Sequence, residues 1–308
     1  MGRIICIAGP TATGKTALAV SLAQHLDGEV VSCDSMQVYR RMDIGTAKPT
    51  LAERQGIVHH MLDVAEPWQP MSVARFTQLA DPVMADILAR GKTAIVAGGT
   101  GLYMDALIQG NGFAPEADPA LRAELQSRLQ EQGAQTLLEE LRRVDPETAG
   151  RLSPSDGKRI IRALEVYRLT GRTLSEYHRL SRQQPPRYQA QWLGLDYEDR
   201  AELYARIDRR VEQMLQAGLL DEIRSLMGQE MPAPATALQA IGYKEFLDVF
   251  AGRCTLQEAT ALVQQSSRRY AKRQRTWFRR NPRIHWIYRH RGDTDEWVLA
   301  QALDILQC

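Results

Sequence analysis

The eight residues Gly9-Pro10-Thr11-Ala12-Thr13-Gly14-Lys15-Thr16 follow directly on the apolar run Ile4-Ile5-Cys6-Ile7-Ala8. No other feature restricts the fold as much. A buried strand that feeds a glycine-rich turn and then a helix aims successive backbone N–H groups at one point, with the positive end of the helix dipole behind them. Every fixed position of the phosphate-loop pattern is filled. Lys15 is expected to reach terminal phosphoryl oxygens, and the Thr16 hydroxyl to hold Mg²⁺. By motif alone the loop is a nucleotide site for ATP as readily as a site for another diphosphate; it names the ligand group and leaves the reaction open.

Three early segments are strand-like and apolar along most of their length: Arg3 to Ala8, Glu29 to Cys33 and Thr93 to Ala97. Fully apolar strands separated by helical patterns predict a parallel sheet covered on both faces. The first helix is expected from Gly14 to Leu26, with Leu18, Leu22 and Leu26 in register and Asp27-Gly28 as its stop. After Asn111-Gly112 the texture changes, and residues 118–187 carry helical patterns and no convincing strand. Asp118-Pro119 caps one helix, Gly133 interrupts the next, and Ser153 to Leu169 forms another, ended by Gly171. Strand-like runs return at Gln191 to Leu195 and Arg283 to Tyr288. The expected fold is α/β, a P-loop NTPase-like parallel sheet core (residues 1–112 and 191–308) with an inserted all-helical domain (residues 113–190).

Charge is distributed unevenly along the 308 residues, although the net value is only +2. Between Gln264 and Arg291 stand ten Lys and Arg residues and no Asp or Glu. This run lies on a long helix opened by the capping box Thr255-Leu256-Gln257-Glu258. Tyr270, Trp277 and Phe278 are interleaved with the cations, a mix that suits phosphate neutralisation and base stacking better than a merely solvated face. Lys158, Arg159 and Arg162 sit on neighbouring turns of a second helix, where phosphate contacts and solvated cations are both open. Arg206 and Arg210, one turn apart, suit a departing diphosphate or an exposed charged face.

Two further stretches sit at strand ends, where ligands bind in doubly wound sheets. Asp34, in Asp34-Ser35-Met36-Gln37-Val38-Tyr39, is a general base, a metal-associated carboxylate or a turn cap. Gly98-Gly99-Thr100-Gly101 lets backbone approach a ligand closely and offers the Thr100 hydroxyl, or is only a tight turn. His59-His60 does not read as a metal site, since adjacent strand residues point to opposite faces. Cys6, Cys33, Cys254 and Cys308 form no CxxC pair, so neither a disulfide framework nor a zinc knuckle is indicated. With no secretory leader pattern and no membrane-spanning run, the expected location is the cytoplasm, away from any membrane.

Six blocks in this order resemble the tRNA dimethylallyltransferase family: GPTATGKT, DSMQVY, GGTGLY, KRIIRALEVY, AIGYKE and RYAKRQRTWFR. The resemblance runs nearly the whole chain. It implies that the loop residues hold dimethylallyl diphosphate and that the acceptor is N6 of adenosine at tRNA position 37. Arg206 and Arg210 would join the loop around the diphosphate. Asp34 would orient the amine and take its proton, and Thr100 would help place the reacting groups. RNA contacts are implied for Asp34, Ser35, Met36 and Gln37, with Thr100, and in the insert for Arg122, Lys158, Arg159, Ile160, Ile161 and Arg162. They are also implied for Leu238, Gln239, Ala240, Ile241, Gly242 and Tyr243, and for Lys272, Arg273, Gln274, Arg275, Thr276, Trp277, Phe278 and Arg279. The partner would be the tRNA anticodon stem-loop, met by a monomer, and the target base must leave its stack to react.

No Cys/His zinc module of the longer eukaryotic relatives follows the core, which suggests the bacterial-type architecture. Three other functions compete. Prenylation of free adenine nucleotide leaves the basic helix and the helical insert without a task. A small-metabolite kinase would use the same loop, but DSMQVY is not its usual continuation. A nucleotide-dependent RNA-binding switch would be expected to carry a guanine-reading NKxD motif if it used GTP, and none is present.

Overall fold

The computed structural model describes residues 2–110, 114–228 and 236–307. Six strands form one sheet: β1 (Ile4–Ala8), β2 (Gly28–Ser32), β3 (His59–His60), β4 (Thr93–Ala97), β5 (Gln191–Tyr197) and β6 (Ile284–Arg289). Their spatial order is β3-β2-β4-β1-β5-β6, and every pairing is parallel. The α/β class follows from the apolar runs: β1, β2 and β4 are buried at every position. Only a sheet covered by helices on both faces buries strands this fully.

Alternation along β1 divides the core. Ile4, Cys6 and Ala8 join the larger apolar cluster with Phe76, Met84, Met104 and Leu107. Ile5 and Ile7 point the other way, onto Leu18 and Leu22 of the first helix and Val298 and Ala302 of the last. The first helix, Lys15–His25, begins after Gly14 at φ 94°, a left-handed conformation that glycine adopts without the steric penalty of a Cβ.

The chain divides into two compact units, Met1–Ile108 with Tyr188–Cys308, and Gln109–Arg187. The textural boundary at Asn111-Gly112 lies outside the described residues. The second unit is helical, with Leu125, Leu137, Leu141, Ile160, Ile161 and Leu164 in its core. Its helix Pro119–Val144 starts under an Asp118 cap and is broken in conformation at Gly133, φ 81° and ψ 158°. The helix expected from Ser153 instead begins as a short 3-10 turn, Pro154–Asp156, and becomes α-helical over Gly157–Thr170. The Ser153–Asp156 capping box with proline at the first position tightens that opening turn.

Candidate active site

Three neighbouring strands end side by side, in the order β2, β4, β1. Each leads into one of the stretches singled out above: Asp34 after β2, Gly98–Gly101 after β4 and Gly9–Gly14 after β1. The Thr100 turn therefore follows the strand between those that carry the β1 loop and Asp34.

The β1 loop is shaped by its own bonds and by its neighbours. Thr13 donates its hydroxyl to the Pro10 carbonyl at 3.0 Å, and Lys15 Nζ donates to the same oxygen at 2.6 Å. Arg206 Nε donates to the Ala12 carbonyl at 3.2 Å, and an Arg210 guanidinium nitrogen to Thr11 Oγ1 at 3.3 Å. Both arginines expected at a diphosphate therefore reach the loop. A third does so as well: Arg289, last residue of β6, donates to the Thr13 carbonyl at 3.3 Å and pairs with Asp295 at 3.0 Å. Gly14 is favoured by its own φ, and a Cβ there would lie 2.6 Å from this guanidinium, which would have to shift. Nothing local in the sequence marks the Arg289 contact, which joins residues 276 apart.

Positive charge is thus concentrated on a loop whose amides already favour anions. Burial, and then the Arg210 guanidinium, bring Lys15 down to about 7, while Asp34 and Asp196 act in the opposite direction. Arg210 is likewise held below its ordinary value, chiefly by burial. Burial pushes the Asp196 carboxyl up, against the pull of Arg275, which pairs with it at 2.7 Å. Such a group of cations discharges its mutual repulsion on a multiply charged anion.

Asp34 is both a turn cap and a half-buried carboxylate. Its Oδ1 accepts from the Met36 and Gln37 amides at 2.8 and 3.3 Å, which fixes the plane of the group. Thr100 accepts from the Ser35 amide at 3.0 Å and donates to Ser35 Oγ at 3.3 Å, tying the β4 turn to the β2 loop. The Gln37 side chain is used internally, accepting from Ser32 and donating to the Thr46 and Ala47 carbonyls. Beside Asp34 and Thr100 stands Tyr270, whose phenol is raised to about 12 by burial and by the Asp34 charge.

Tyr270 belongs to the basic helix, Leu256–Phe278, which has two different faces. Ala271, Gln274 and Phe278 are buried, Arg275 is half-buried, and Lys272, Arg273, Thr276, Trp277 and Arg279 are exposed. Inward, Gln274 meets the β1 loop and Arg275 meets Asp196. Trp277 donates its indole N–H to Asp105 at 2.8 Å and packs where a Cβ on Gly101 would collide at 2.2 Å. Outward lies a basic surface. The RNA block implied for 272–279 therefore covers both faces, and the buried Phe278 side chain packs in the core rather than meeting a polyanion.

The same division holds at the other implied RNA positions. Of residues 238–243 only Gln239 is exposed; Leu238 and Ile241 pack against the core, Ala240 and Gly242 are buried, and Tyr243 donates to Glu222 at 2.6 Å. In the helical unit, Lys158 and Arg159 are exposed while Ile160 and Ile161 fill its core. Arg122 and Arg162 both donate to fully buried Glu165, at 2.8 and 2.7 Å. His59 contacts the Ile57 carbonyl and His60 pairs with Glu29, at 3.0 and 2.8 Å. Among the described residues no three His, Cys, Asp or Glu gather as a metal cage.

Comparison with known proteins gives a consistent result. Residues 37–281 match the family model described as IPP transferase, and residues 2–66 match one described as Isopentenyl transferase. The chain is 50% identical over 285 residues to tRNA dimethylallyltransferase 1 of Pelobacter propionicus, covering 92% of each chain. It is 47% identical over 286 residues to the tRNA dimethylallyltransferase of Geobacillus thermodenitrificans, covering 92% of this chain and 90% of that one. Its fold is similar to the tRNA isopentenylpyrophosphate transferase of Bacillus halodurans, with TM-score 0.74, 40% identity and coverage of 100% and 96%. A eukaryotic dimethylallyltransferase acting on tRNA gives TM-score 0.83 at 30% identity, covering 100% of this chain and 80% of that one.

Proposed function

This chain belongs to the IPP transferase family, and from that premise we propose that it prenylates tRNA at the adenosine beside the anticodon. The donor is dimethylallyl diphosphate, the acceptor is N6 of adenosine 37, and the products are N6-dimethylallyladenosine and diphosphate. The observation that carries this reading is the row of strand ends: anion loop, Thr100 turn and Asp34, one strand apart. A kinase would use the same loop and could use the carboxylate; the family match and the basic helix favour allyl transfer to RNA.

In the reaction the allylic C–O bond breaks and its electron pair leaves with the diphosphate. The N6 lone pair forms the new C–N bond, and one N6 proton passes to the Asp34 carboxylate. Loop amides, Lys15, Arg206 and Arg210 stabilise charge as it develops on the leaving oxygen, the step where fixed dipoles and cations contribute most. Thr100, held by Ser35, lies between the two ends of the reaction. Mg²⁺ suits this site: Thr16 is exposed on the first turn of the helix, and magnesium commonly takes one or two protein oxygens, substrate phosphate and water. When bound it adds positive charge at the leaving group.

RNA is taken up by the exposed cations of the basic helix and by Lys158 and Arg159 of the helical unit. Replacing Lys158 and Arg159 together with Ala should weaken stem-loop binding and make the salt dependence shallower by about 1 to 2 in log–log slope. Filter binding between 50 and 200 mM salt reads this, and an unchanged slope removes the helix from the interface. Arg162 is left intact because it pairs with Glu165. Action as a cytoplasmic monomer is part of this reading, and the cytoplasm fits a tRNA substrate. Among the described residues no helix is long and apolar enough to cross a membrane.

Donor binding should depend on pH through Lys15. Free, it loses its proton around 7; a diphosphate against the ammonium raises that value, while the second ionisation of a phosphate ester, centred near 6, is nearly complete above about 7. Between about 7 and 10, binding therefore takes up a proton, and donor affinity falls as pH rises, by up to tenfold per unit. Calorimetry in two buffers of unlike ionisation heat measures the uptake. Lys15→Arg, charged throughout, should abolish it.

The central test incubates the protein, Mg²⁺ and labelled dimethylallyl diphosphate with unmodified tRNA, an anticodon stem-loop or AMP, followed by nucleoside digestion. Label in N6-prenyladenosine from RNA and not from AMP is the expected result. Label on AMP alone assigns the free-nucleotide reaction instead.

A further inference from the structure

Gln274 stands inside the segment that resemblance assigns to RNA, yet its side chain is buried between two loops of the reaction site. Its Oε1 accepts the Thr11 backbone N–H at 2.9 Å, and its Nε2 donates to the Gly99 carbonyl at 2.9 Å. One primary amide therefore joins the anion loop after β1 to the turn that carries Thr100. The fit is close: a Cβ on Gly99 would sit 2.2 Å from Nε2, so glycine at that position is matched to the amide.

We propose that Gln274 is a positioning residue for the transfer reaction, setting the distance and orientation between the diphosphate cradle and the Thr100–Asp34 side. This inference rests on the prenyl-transfer reading and deepens it. Displacement at an allylic carbon needs amine and leaving group in line, with reacting atoms about 3 to 3.5 Å apart, and an error of about 1 Å can cost about a hundredfold in rate. Two loops on separate strands hold such a tolerance only when something rigid spans them. The strands themselves provide part of this, since the Gly98 amide bonds Ile7 and the Thr100 amide bonds Cys33. Beyond the last strand bond, Gln274 provides the link.

The side chain here must both accept and donate, because one loop presents a donor and the other an acceptor, and the primary amide does both at once. Ionised glutamate would keep an acceptor for Thr11 and turn a second oxygen toward the Gly99 carbonyl. Methionine, similar in length, would make neither bond. Tyr270, one helical turn before Gln274 and near both Gln274 and Thr100, extends the same inward face. The exposed neighbours Lys272 and Arg273 point to the other side of the helix, so RNA contact and site alignment fall to different residues of one segment.

The experiment compares Gln274→Met and Gln274→Glu with wild type in single-turnover prenyl transfer, both substrates saturating. Donor and stem-loop dissociation constants and the salt slope of RNA binding are measured alongside. The expected result is a rate roughly 30- to 100-fold lower for Gln274→Met and at least about tenfold lower for Gln274→Glu. Both dissociation constants should stay within about threefold, with the salt slope unchanged. Rates within threefold of wild type in folded variants overturn the proposal. So does a loss fully recovered by raising RNA concentration, or a shallower salt slope, since either makes Gln274 an RNA contact. If circular dichroism shows Gln274→Met unfolded, Gln274→Glu alone decides between these results. A wild-type protein that transfers no prenyl group to RNA overturns the underlying reading instead, and the wild-type lane alone shows it.

Discussion

Asp34→Asn should lower single-turnover prenyl transfer by about 10² to 10⁴, the range for loss of a positioned general base, while leaving donor and stem-loop affinities near their wild-type values. Asparagine is the informative replacement because Asp34 caps a turn as well as standing as the proposed base. Its Oδ1 caps the turn through the Met36 and Gln37 amides, and an asparagine oxygen can accept the same two bonds. Alanine would release the turn and confuse loss of a base with loss of shape. A rate near wild type in Asp34→Asn would remove Asp34 as the proton acceptor and leave it as a cap. A rate that recovers with rising pH would instead show that the amine proton can pass to solvent hydroxide.

The second large effect is expected at Lys15. Lys15→Met should reduce transfer by about 10² to 10³, the loss typical of removing one fixed donor to a developing oxyanion, and should weaken donor binding as well. In the proposed reaction Lys15 supplies charge at the leaving oxygen, and its Nζ already points into the loop, bonded to the Pro10 carbonyl. Quenched-flow rates with saturating donor separate the two effects. A defect confined to donor affinity would make Lys15 a uniform binding group with no added role as the bond breaks. Lys15→Arg should restore charge but only part of the rate, since a planar guanidinium does not replace a compact ammonium.

Much of this site could be read from the chain because its elements are local. A strand, a glycine-rich turn and a helix are consecutive in sequence, so Gly9–Thr16 declares itself. Asp34 and Thr100 could be singled out because residues just past parallel strands lie at the ligand edge of such sheets. The strand order, by contrast, depends on pairings between distant segments, and no local pattern encodes that β4 lies between β1 and β2. Gln274 and Arg289 were hidden for the same reason. Each reaches the loop through tertiary packing, across 263 residues for Gln274 to Thr11 and 276 for Arg289 to Thr13. Their sequence surroundings showed only positive charge. Ile160, Ile161 and Phe278 illustrate the converse: a contiguous motif contains both faces of its helix, and the inward half serves the core.

The position of β4 also has a consequence for synthesis. β1 and β2 leave the ribosome first but are not neighbours in the finished sheet; their shared partner emerges some sixty residues after β2, and β5 only after the whole helical unit. Until then, apolar strands with unpaired edges are exposed to the cell, the condition under which nascent chains aggregate or engage chaperones. The helical unit is continuous in sequence and complete before β5 is made. Ribosome-bound chains stalled near residue 90 should therefore be protease-sensitive throughout, and those stalled after residue 230 should already protect the helical unit.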